Sequence, residues 1–264
     1  MPVYWILDIS SEEEYNEVEI WAVSEEGERV IIKDEFNPEF FILSENFEED
    51  IKIIRTLKGV KDAEIVVRNF RGRPVKLIRV TTANVRLEDV ANEVRRRCNH
   101  ILDVFQDDVR FSNQYIFKKN IIPSSWTVLD TERAGSINGY TLLKLNRLCS
   151  IEFEKTVFPE LRILAFDAFF YSIKGSPDPE HSPIISISVM TSKNDFINFS
   201  GDEKALLNSF LDFVKNFDPD VIVGFNSNRK VIPLLVERSK RIGLAFNIGR
   251  LDSEPRGSVY GHQS

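Results

Sequence analysis

The order of apolar patterns after residue 160 constrains the fold more than any other feature of the sequence. Three runs with β-strand composition are followed by an amphipathic helix pattern, a fourth strand and a second helix pattern. These six segments lie at 162–167, 184–190, 196–199, 203–216, 221–226 and 232–242. Strands and helices in this order predict an α/β domain built on a mixed sheet.

The first half of the sequence has a different pattern, with many short strands and two helices. β-type runs predict strands at 3–9, 17–24, 30–32, 40–43, 63–67 and 74–80. Apolar periodicity predicts helices at 47–58 and 84–98. This mixture predicts a mixed β domain of the α+β class. Residues 124–160 are less regular and are interpreted as a connecting meander, so we expect domains at 1–130 and 131–264.

The composition predicts packed cores and gives no sign of a membrane segment. Of the 264 residues, 42% are hydrophobic and 28% charged, which excludes global disorder. No apolar run approaches the ~18 residues that span a bilayer, and the N-terminal segment lacks the basic region of a signal peptide. We therefore expect a cytoplasmic protein without a membrane partner. Cys98 and Cys149 belong to no zinc-type cluster and are expected to be reduced core residues.

The net charge of −7 is unevenly distributed along the chain. Residues 1–50 have a net charge of −14, residues 51–120 a net charge of +8, and the remainder a net charge of −1. A basic middle segment can bind phosphate groups through one face even in an acidic protein. Alternatively, its cations pair with the acids of the first segment, and the sequence leaves both interpretations open.

Asp167 is a candidate for phosphodiester chemistry. It follows an apolar run and is predicted to lie at the end of a strand. Two-metal hydrolysis of phosphodiesters uses a cluster of carboxylates that holds ions about 3.5–4 Å apart. A single Asp after a strand is more often a turn or capping residue, so the assignment depends on the surrounding sequence.

Four segments resemble motifs of archaeal-type family B DNA polymerases. Residues 161–167 (LRILAFD) are similar to the family's first exonuclease motif, and 218–228 (DPDVIVGFNSN) to its second. Residues 248–255 resemble the segment after the second motif, and 103–123 the end of the family's N-terminal domain. The resemblance implies an N-terminal polymerase domain followed by a ribonuclease H-like 3′–5′ exonuclease domain. It also implies Mg²⁺ or Mn²⁺ as the metal cofactor.

Both exonuclease motifs depart from the family pattern at metal-binding positions. The first motif requires Asp and Glu two residues apart, but Phe169 stands where the Glu is expected after Asp167. In the second motif Asn226 is retained, whereas Lys230 and Val231 replace Phe and Asp. A lone carboxylate cannot hold two divalent ions tightly, and an added cation would repel them. We therefore expect Asp167 to be a weak metal ligand and the nuclease to be inactive.

The resemblance also implies that some functional residues lie outside this sequence. The third exonuclease motif and the acids of the polymerase palm would follow Ser264. We therefore expect an exonuclease-like domain that is truncated at its C-terminal end, and no polymerase active site in the chain.

The basic middle segment contains the candidate DNA interface. Its arginines and lysines would contact the phosphates of a single strand, while its aromatic rings stack on bases. The candidate residues are Arg71, Arg73, Arg95, Arg96, Arg97, Phe111, Tyr115, Lys118 and Lys119, with Arg68 and Phe70 beside the first two. For Arg95–Arg97 the alternative is a solvated helix end, where cations suit the helix dipole.

The family resemblance further implies a pocket that captures template uracil. Pro38 and Phe111 match positions that line this pocket. Asn99 and Leu102 stand where the family has Pro and a smaller Val. A bulkier Leu102 in the floor of the pocket would close it.

These features lead to three functional hypotheses. The first is the N-terminal region of a family B DNA polymerase, acting as a DNA-binding scaffold with an inactive exonuclease domain. Its partners would be single-stranded template or primer–template DNA, the remainder of the polymerase chain and replication accessory proteins. The second is an active exonuclease that uses substitute acids such as Asp178, Glu180 or Asp195. The third is a protein-interaction module that uses the acidic residues 1–50.

Overall fold

The computed structural model describes residues 1–12, 15–151, 157–173 and 175–255, and the chain divides into two units between Pro159 and Glu160. The predicted boundary after residue 130 is wrong because it falls inside strand β8 (Trp126–Ile137). This strand pairs antiparallel with β9 (Tyr140–Ile151), and both belong to the first unit. The segment interpreted as a meander therefore contains two long strands.

A closed five-stranded barrel forms one part of the first unit. It consists of β1 (Val3–Glu12), β2 (Glu17–Ser24), β3 (Arg29–Glu35), β9 and β8, in the order β1-β2-β3-β9-β8. Neighbouring strands are antiparallel except β3 and β9, which are parallel. Helix α3 (Phe111–Lys119), which the sequence patterns did not predict, packs Phe111 and Tyr115 into the same core.

A four-stranded antiparallel sheet forms the other part of the first unit. Its elements are β4 (Glu39–Ser44), α1 (Phe47–Ile54), β5 (Val60–Phe70), β6 (Arg73–Thr82), α2 (Leu87–Arg97) and β7 (Ile101–Phe105). This is a βαββαβ arrangement with strand order β5-β6-β4-β7. Both helices pack on one face, where Phe40, Ile42 and Ile78 are buried. Asn46 begins α1 by accepting a hydrogen bond from the backbone N–H of Glu49 (3.3 Å).

The second unit has the predicted α/β arrangement. It contains β10 (Ile163–Phe170), β11 (Ile184–Thr191), β12 (Phe196–Ser200), α4 (Glu203–Phe217), β13 (Val221–Val223), a π-helix (Ser227–Val231) and α5 (Ile232–Arg241). The sheet order is β12-β11-β10-β13, with β10 and β13 parallel, so the sheet is mixed as expected. Helices α4 and α5 cover one face, on which Leu164 and Phe166 are buried.

No helix within the described ranges combines the length and the apolarity that crossing a bilayer requires.

The two cysteines have different environments, which leads to a test of the fold. Cys98 is 5% exposed, and burial together with the negative charge of Asp50 raises the pKa of its thiol to about 11. Cys149 is half-exposed, so only Cys98 is the core residue that we predicted.

We expect a thiol reagent at pH 8 to modify Cys149 in the native protein. Cys98 should react at least ~100-fold more slowly, because a smaller fraction of its thiol is ionised at pH 8 and because the reagent cannot reach the buried sulfur.

The rates are to be followed by the absorbance of an aromatic disulfide reagent, with and without denaturant. A Cys149→Ser variant is the control, and it should show no fast phase until the protein unfolds. Rapid modification of Cys98 in this native variant would contradict the described packing of α2.

Candidate functional site

Asp167 lies within β10, on the face of the sheet opposite the helices. It is the fifth of the eight residues of the strand and pairs with Ser188 of β11. Its exposed carboxylate accepts a hydrogen bond from the backbone N–H of Ala168 (2.9 Å). The prediction that Asp167 ends the strand is wrong, because β10 continues to Phe170.

Phe169 shares this face with Asp167, as the two-residue period of a strand requires. Its ring is 62% exposed. A shallow cleft of about 580 Å³ borders Asp167, and most of its lining is apolar: Ala165, Met190, Phe196, Val223 and Phe225. Among the residues that the structure describes, no three His, Cys, Asp or Glu side chains are grouped so that they could hold a metal ion. The residues present therefore do not fit a two-metal centre.

The second motif comes close to β10 through a turn that requires glycine. A Cβ on Gly224 would lie 2.7 Å from the carbonyl oxygen of Phe166, the residue before Asp167. Asn226 follows in a left-handed conformation (φ 54°) and begins the π-helix. Lys230 is exposed, whereas Val231 is half-buried against the core of the second unit. Position 231, where the family resemblance implies a carboxylate, thus holds an apolar side chain that packs against this core.

Asp218 and Asp220, at the start of the second-motif segment, form an ion cluster with Arg162 and Arg250. Arg250 donates from Nε to Asp218 Oδ1 and from Nη2 to Asp220 Oδ1, each at 2.7 Å. Arg162 donates from Nη1 to Asp218 Oδ2 (2.6 Å) and from its backbone N–H to Asp220 Oδ2 (2.8 Å). Burial opposes the charge of Arg250, but hydrogen bonds to Asp220 and Asp218 outweigh it and raise the pKa of the guanidinium. This cluster joins the segments before β10, after α4 and after α5.

The three acids suggested as substitute metal ligands, Asp178, Glu180 and Asp195, are engaged in other contacts. Asp178 accepts hydrogen bonds from the backbone N–H groups of His181 (2.9 Å) and Glu180 (2.8 Å), and these bonds, most of all the one from His181, lower the pKa of its carboxyl. Glu180 lies 3.6 Å from Arg241, and Asp195 hydrogen-bonds with Thr191. None of them belongs to a metal-binding group within the described ranges.

Five of the candidate DNA-binding cations have acidic partners. Arg95 pairs with Asp107, and Arg96 and Arg97 pair with Glu93. Lys118 lies 2.9 Å from Glu39 and Lys119 lies 2.9 Å from Asp34. For these lysines the structure favours the alternative interpretation, in which the basic segment pairs with acids of residues 1–50.

Phe111 and Tyr115 are buried, so the prediction that they stack on bases is wrong. Both rings pack edge-on against Phe36 in the barrel core. Tyr115 also donates its hydroxyl hydrogen to Asp34 (2.8 Å), and burial together with Asp34 raises the pKa of the phenol. They were misassigned because helix α3, which turns both rings inwards, was not predicted.

The predicted uracil-pocket residues do not share one environment. Pro38 and Phe111 are buried, whereas the Leu102 side chain is exposed. A Leu102 that points into solvent does not form the floor of a cavity. The uracil pocket therefore stays a prediction without support from the positions of these residues.

The hairpin between β5 and β6 presents the remaining candidates. Arg68, Arg71 and Arg73 are exposed and have no acidic partner in the part of the chain that the structure describes. The guanidinium of Arg71 lies 5.2 Å from the ring centre of Phe70, and that of Arg68 lies 5.6 Å from the ring centre of Phe41. The structure thus brings exposed cations and an exposed ring together at this hairpin.

Comparison with known proteins identifies the class of the chain. The family model described as "DNA polymerase family B, exonuclease domain" matches residues 102–200 and 193–261. The chain belongs to the family B DNA polymerases.

Similar proteins come from several archaea. The chain is 31% identical to "DNA polymerase 2" of Aeropyrum pernix, with 93% of this chain and 33% of that protein covered. It is 30% identical to "DNA polymerase 3" of Saccharolobus shibatae, with 99% and 35% covered. The structure of the family B DNA polymerase from Pyrobaculum calidifontis superposes with a TM-score of 0.88 at 33% identity, covering 99% of this chain and 35% of that chain. The chain thus spans about a third of the length of the curated relatives it matches.

Proposed function

We propose that this chain acts as the N-terminal, DNA-binding region of a family B DNA polymerase whose exonuclease-type unit has lost nuclease chemistry. The observation that carries the proposal is the solvent-facing side of β10. It presents Asp167 as a single carboxylate, with Phe169 in the position of a second one and an apolar cleft alongside. Two-metal hydrolysis needs several carboxylates to balance the charge of the ions, and these side chains do not supply them.

The fold of the second unit then serves as a scaffold. The ion cluster around Asp220 and the approach of Gly224 to β10 keep the two motif segments together without a metal ion. The partners of such a region are template or primer–template DNA and the remainder of the polymerase, with Mg²⁺ or Mn²⁺ required only at the polymerase site. Replication accessory proteins are further proposed partners.

The two other hypotheses have weaker support. Asp178, Glu180 and Asp195 are engaged in loop contacts and form no metal-binding group within the described ranges. Acids of the first 50 residues, including Asp34 and Glu39, are paired with lysines. The acidic segment is therefore partly neutralised within the first unit.

A digestion assay tests the loss of nuclease chemistry. With a 5′-labelled single-stranded oligonucleotide and Mg²⁺ or Mn²⁺, we expect cleavage no faster than in the presence of a chelator, since one carboxylate does not hold two ions. An Asp167→Asn variant should behave identically and controls for contaminating nucleases. Metal-dependent cleavage that the Asp167→Asn variant lacks would contradict the proposal.

A further inference from the structure

The β5–β6 hairpin extends beyond the strands that flank it. Arg71 and Gly72 form its two-residue turn, both with positive φ (51° and 78°). Strand β4 pairs with β6 only from Ile78 to Thr81, so the outer half of the hairpin has no further strand neighbour within the described ranges. This outer half, residues 66–77, is called the hairpin arm.

The arm bends over the face of the sheet that the helices leave uncovered. The rings of Phe70 on β5 and Phe105 on β7 are 5.2 Å apart, although β6 and β4 lie between these strands in the sheet. The contact therefore requires the arm to curl across the sheet. Phe41 is buried beneath Arg68, while Phe70 keeps 43% of its surface exposed at the outside of the cluster.

The arginines of the arm differ from the other candidate DNA-binding cations in their ion pairing. Arg95, Arg96, Lys118 and Lys119 each have a carboxylate partner. The three arginines of the arm have none in the described ranges, and Glu64 of the same hairpin is bound to Arg79 instead. Unpaired arginines around an exposed aromatic ring form a surface that attracts phosphate and offers a platform to an unpaired base.

We infer that the hairpin arm is a binding surface for single-stranded nucleic acid. An unpaired base stacks on Phe70, supported from behind by Phe105, and Arg68, Arg71 and Arg73 contact the neighbouring phosphates. A duplex keeps its bases stacked on each other, so it can use only the arginines. The inference rests on the proposed DNA-binding role and assigns that role to one surface.

Binding of a fluorescein-labelled 12-mer of thymidine, measured by anisotropy, tests the stacking contact. The Phe70→Ala variant should bind about tenfold more weakly than the parent, within the range that loss of one base–aromatic stack produces. The matched control is Phe117→Ala, which removes a ring that is 73% exposed on α3 and should leave the affinity unchanged. Equal affinities of the Phe70→Ala and Phe117→Ala variants would overturn the inference.

Salt dependence tests the phosphate contacts. Three contacts predict a slope of about −2 in a plot of log affinity against log salt concentration, and the Arg73→Gln variant should reduce its size by about 0.7. Arg133→Gln, which removes the same charge from an exposed position on β8 outside the hairpin arm, should leave the slope unchanged. Equal reductions in both variants would show general electrostatic attraction and contradict the assignment.

The choice of probes separates failure of the inference from failure of the proposed function. Duplex DNA should bind the parent and the Phe70→Ala variant equally, because it offers no unpaired base. A uridine 12-mer should respond to Phe70→Ala as the thymidine 12-mer does, since stacking does not read the sugar. DNA binding that persists in every arm variant would overturn the inference but leave the scaffold proposal standing, whereas no binding by the parent would contradict both.

Discussion

Replacing Arg250 with Met is expected to lower the free energy of unfolding of the second unit by about 3–5 kcal/mol. Arg250 is 13% exposed, and the Asp220 side chain that it contacts is fully buried. Removing the guanidinium takes away the charged hydrogen bond from Nη2 to Asp220 Oδ1, in surroundings of low polarity. The backbone bond from Arg162 remains but carries no full charge.

The tryptophans allow the effect to be assigned to one unit. Trp5, Trp21 and Trp126 all belong to the first unit, so tryptophan fluorescence should report an unchanged transition. Hydrogen exchange in peptides from α4 and α5 should report the loss.

An Arg241→Met variant is the control for Arg250→Met. Arg241 and its partner Glu180 are both largely exposed, so this change should cost less than about 1 kcal/mol. A combined Asp220→Leu and Arg250→Met variant should regain part of the loss, because removing both partners of a buried pair costs less than removing one. Equal destabilisation by Arg250→Met and Arg241→Met would contradict a special role of the buried cluster.

The local elements were largely predictable because their patterns depend on neighbouring residues. The apolar positions of α4 recur at helical spacing, and Leu206, Leu207 and Phe210 are indeed buried. The closure of the barrel depends instead on the parallel pairing of β3 with β9, which joins residues about 110 positions apart. Register shifts in the β8–β9 pair interrupt its alternation, which is why this segment was interpreted as a meander.

The candidate site was predictable where it depends on strand geometry and unpredictable where it depends on tertiary contacts. The two-residue period correctly placed Asp167 and Phe169 on one face. The burial of Tyr115 and the pairing of Lys119 with Asp34 depend on α3 packing against the barrel, which composition does not reveal. The role of Arg250 was also missed, although Arg250 lies in the segment that resembles the family's sequence after the second motif, and this was a usable signal.

Replacing Phe169 with Glu is expected to create a Mn²⁺ site at β10 that the parent lacks. The new carboxylate would lie two residues from Asp167 on the same face, a spacing of about 6.6–6.8 Å along the strand. Two such carboxylates can share one ion, so we expect Mn²⁺ affinity to rise at least about tenfold in calorimetric titration. Because the Phe169 ring is 62% exposed, the substitution should change the stability by no more than about 0.5 kcal/mol.

The control for this variant is Phe196→Glu. Phe196 is 69% exposed on the same face, but β11 separates its strand from β10. The Phe196→Glu variant therefore adds the same charge, but its new carboxylate does not lie two residues from Asp167 on the same strand. Equal Mn²⁺ affinities in the two variants would show that net charge, and not chelation, causes the gain.

A second new acid, at position 231, should not raise the Mn²⁺ affinity by an independent further step. Val231 is half-buried against the core of the second unit, so Val231→Asp should cost about 1–3 kcal/mol of stability unless an ion compensates the new carboxylate. In the Phe169→Glu background, Mn²⁺ should therefore raise the melting temperature of the Val231→Asp double variant more than that of the single variant. Equal increases in melting temperature would mean that a side chain at position 231 points into the core and cannot reach an ion at β10. Restoring a metal site would then require repacking of the π-helix as well as the two substitutions.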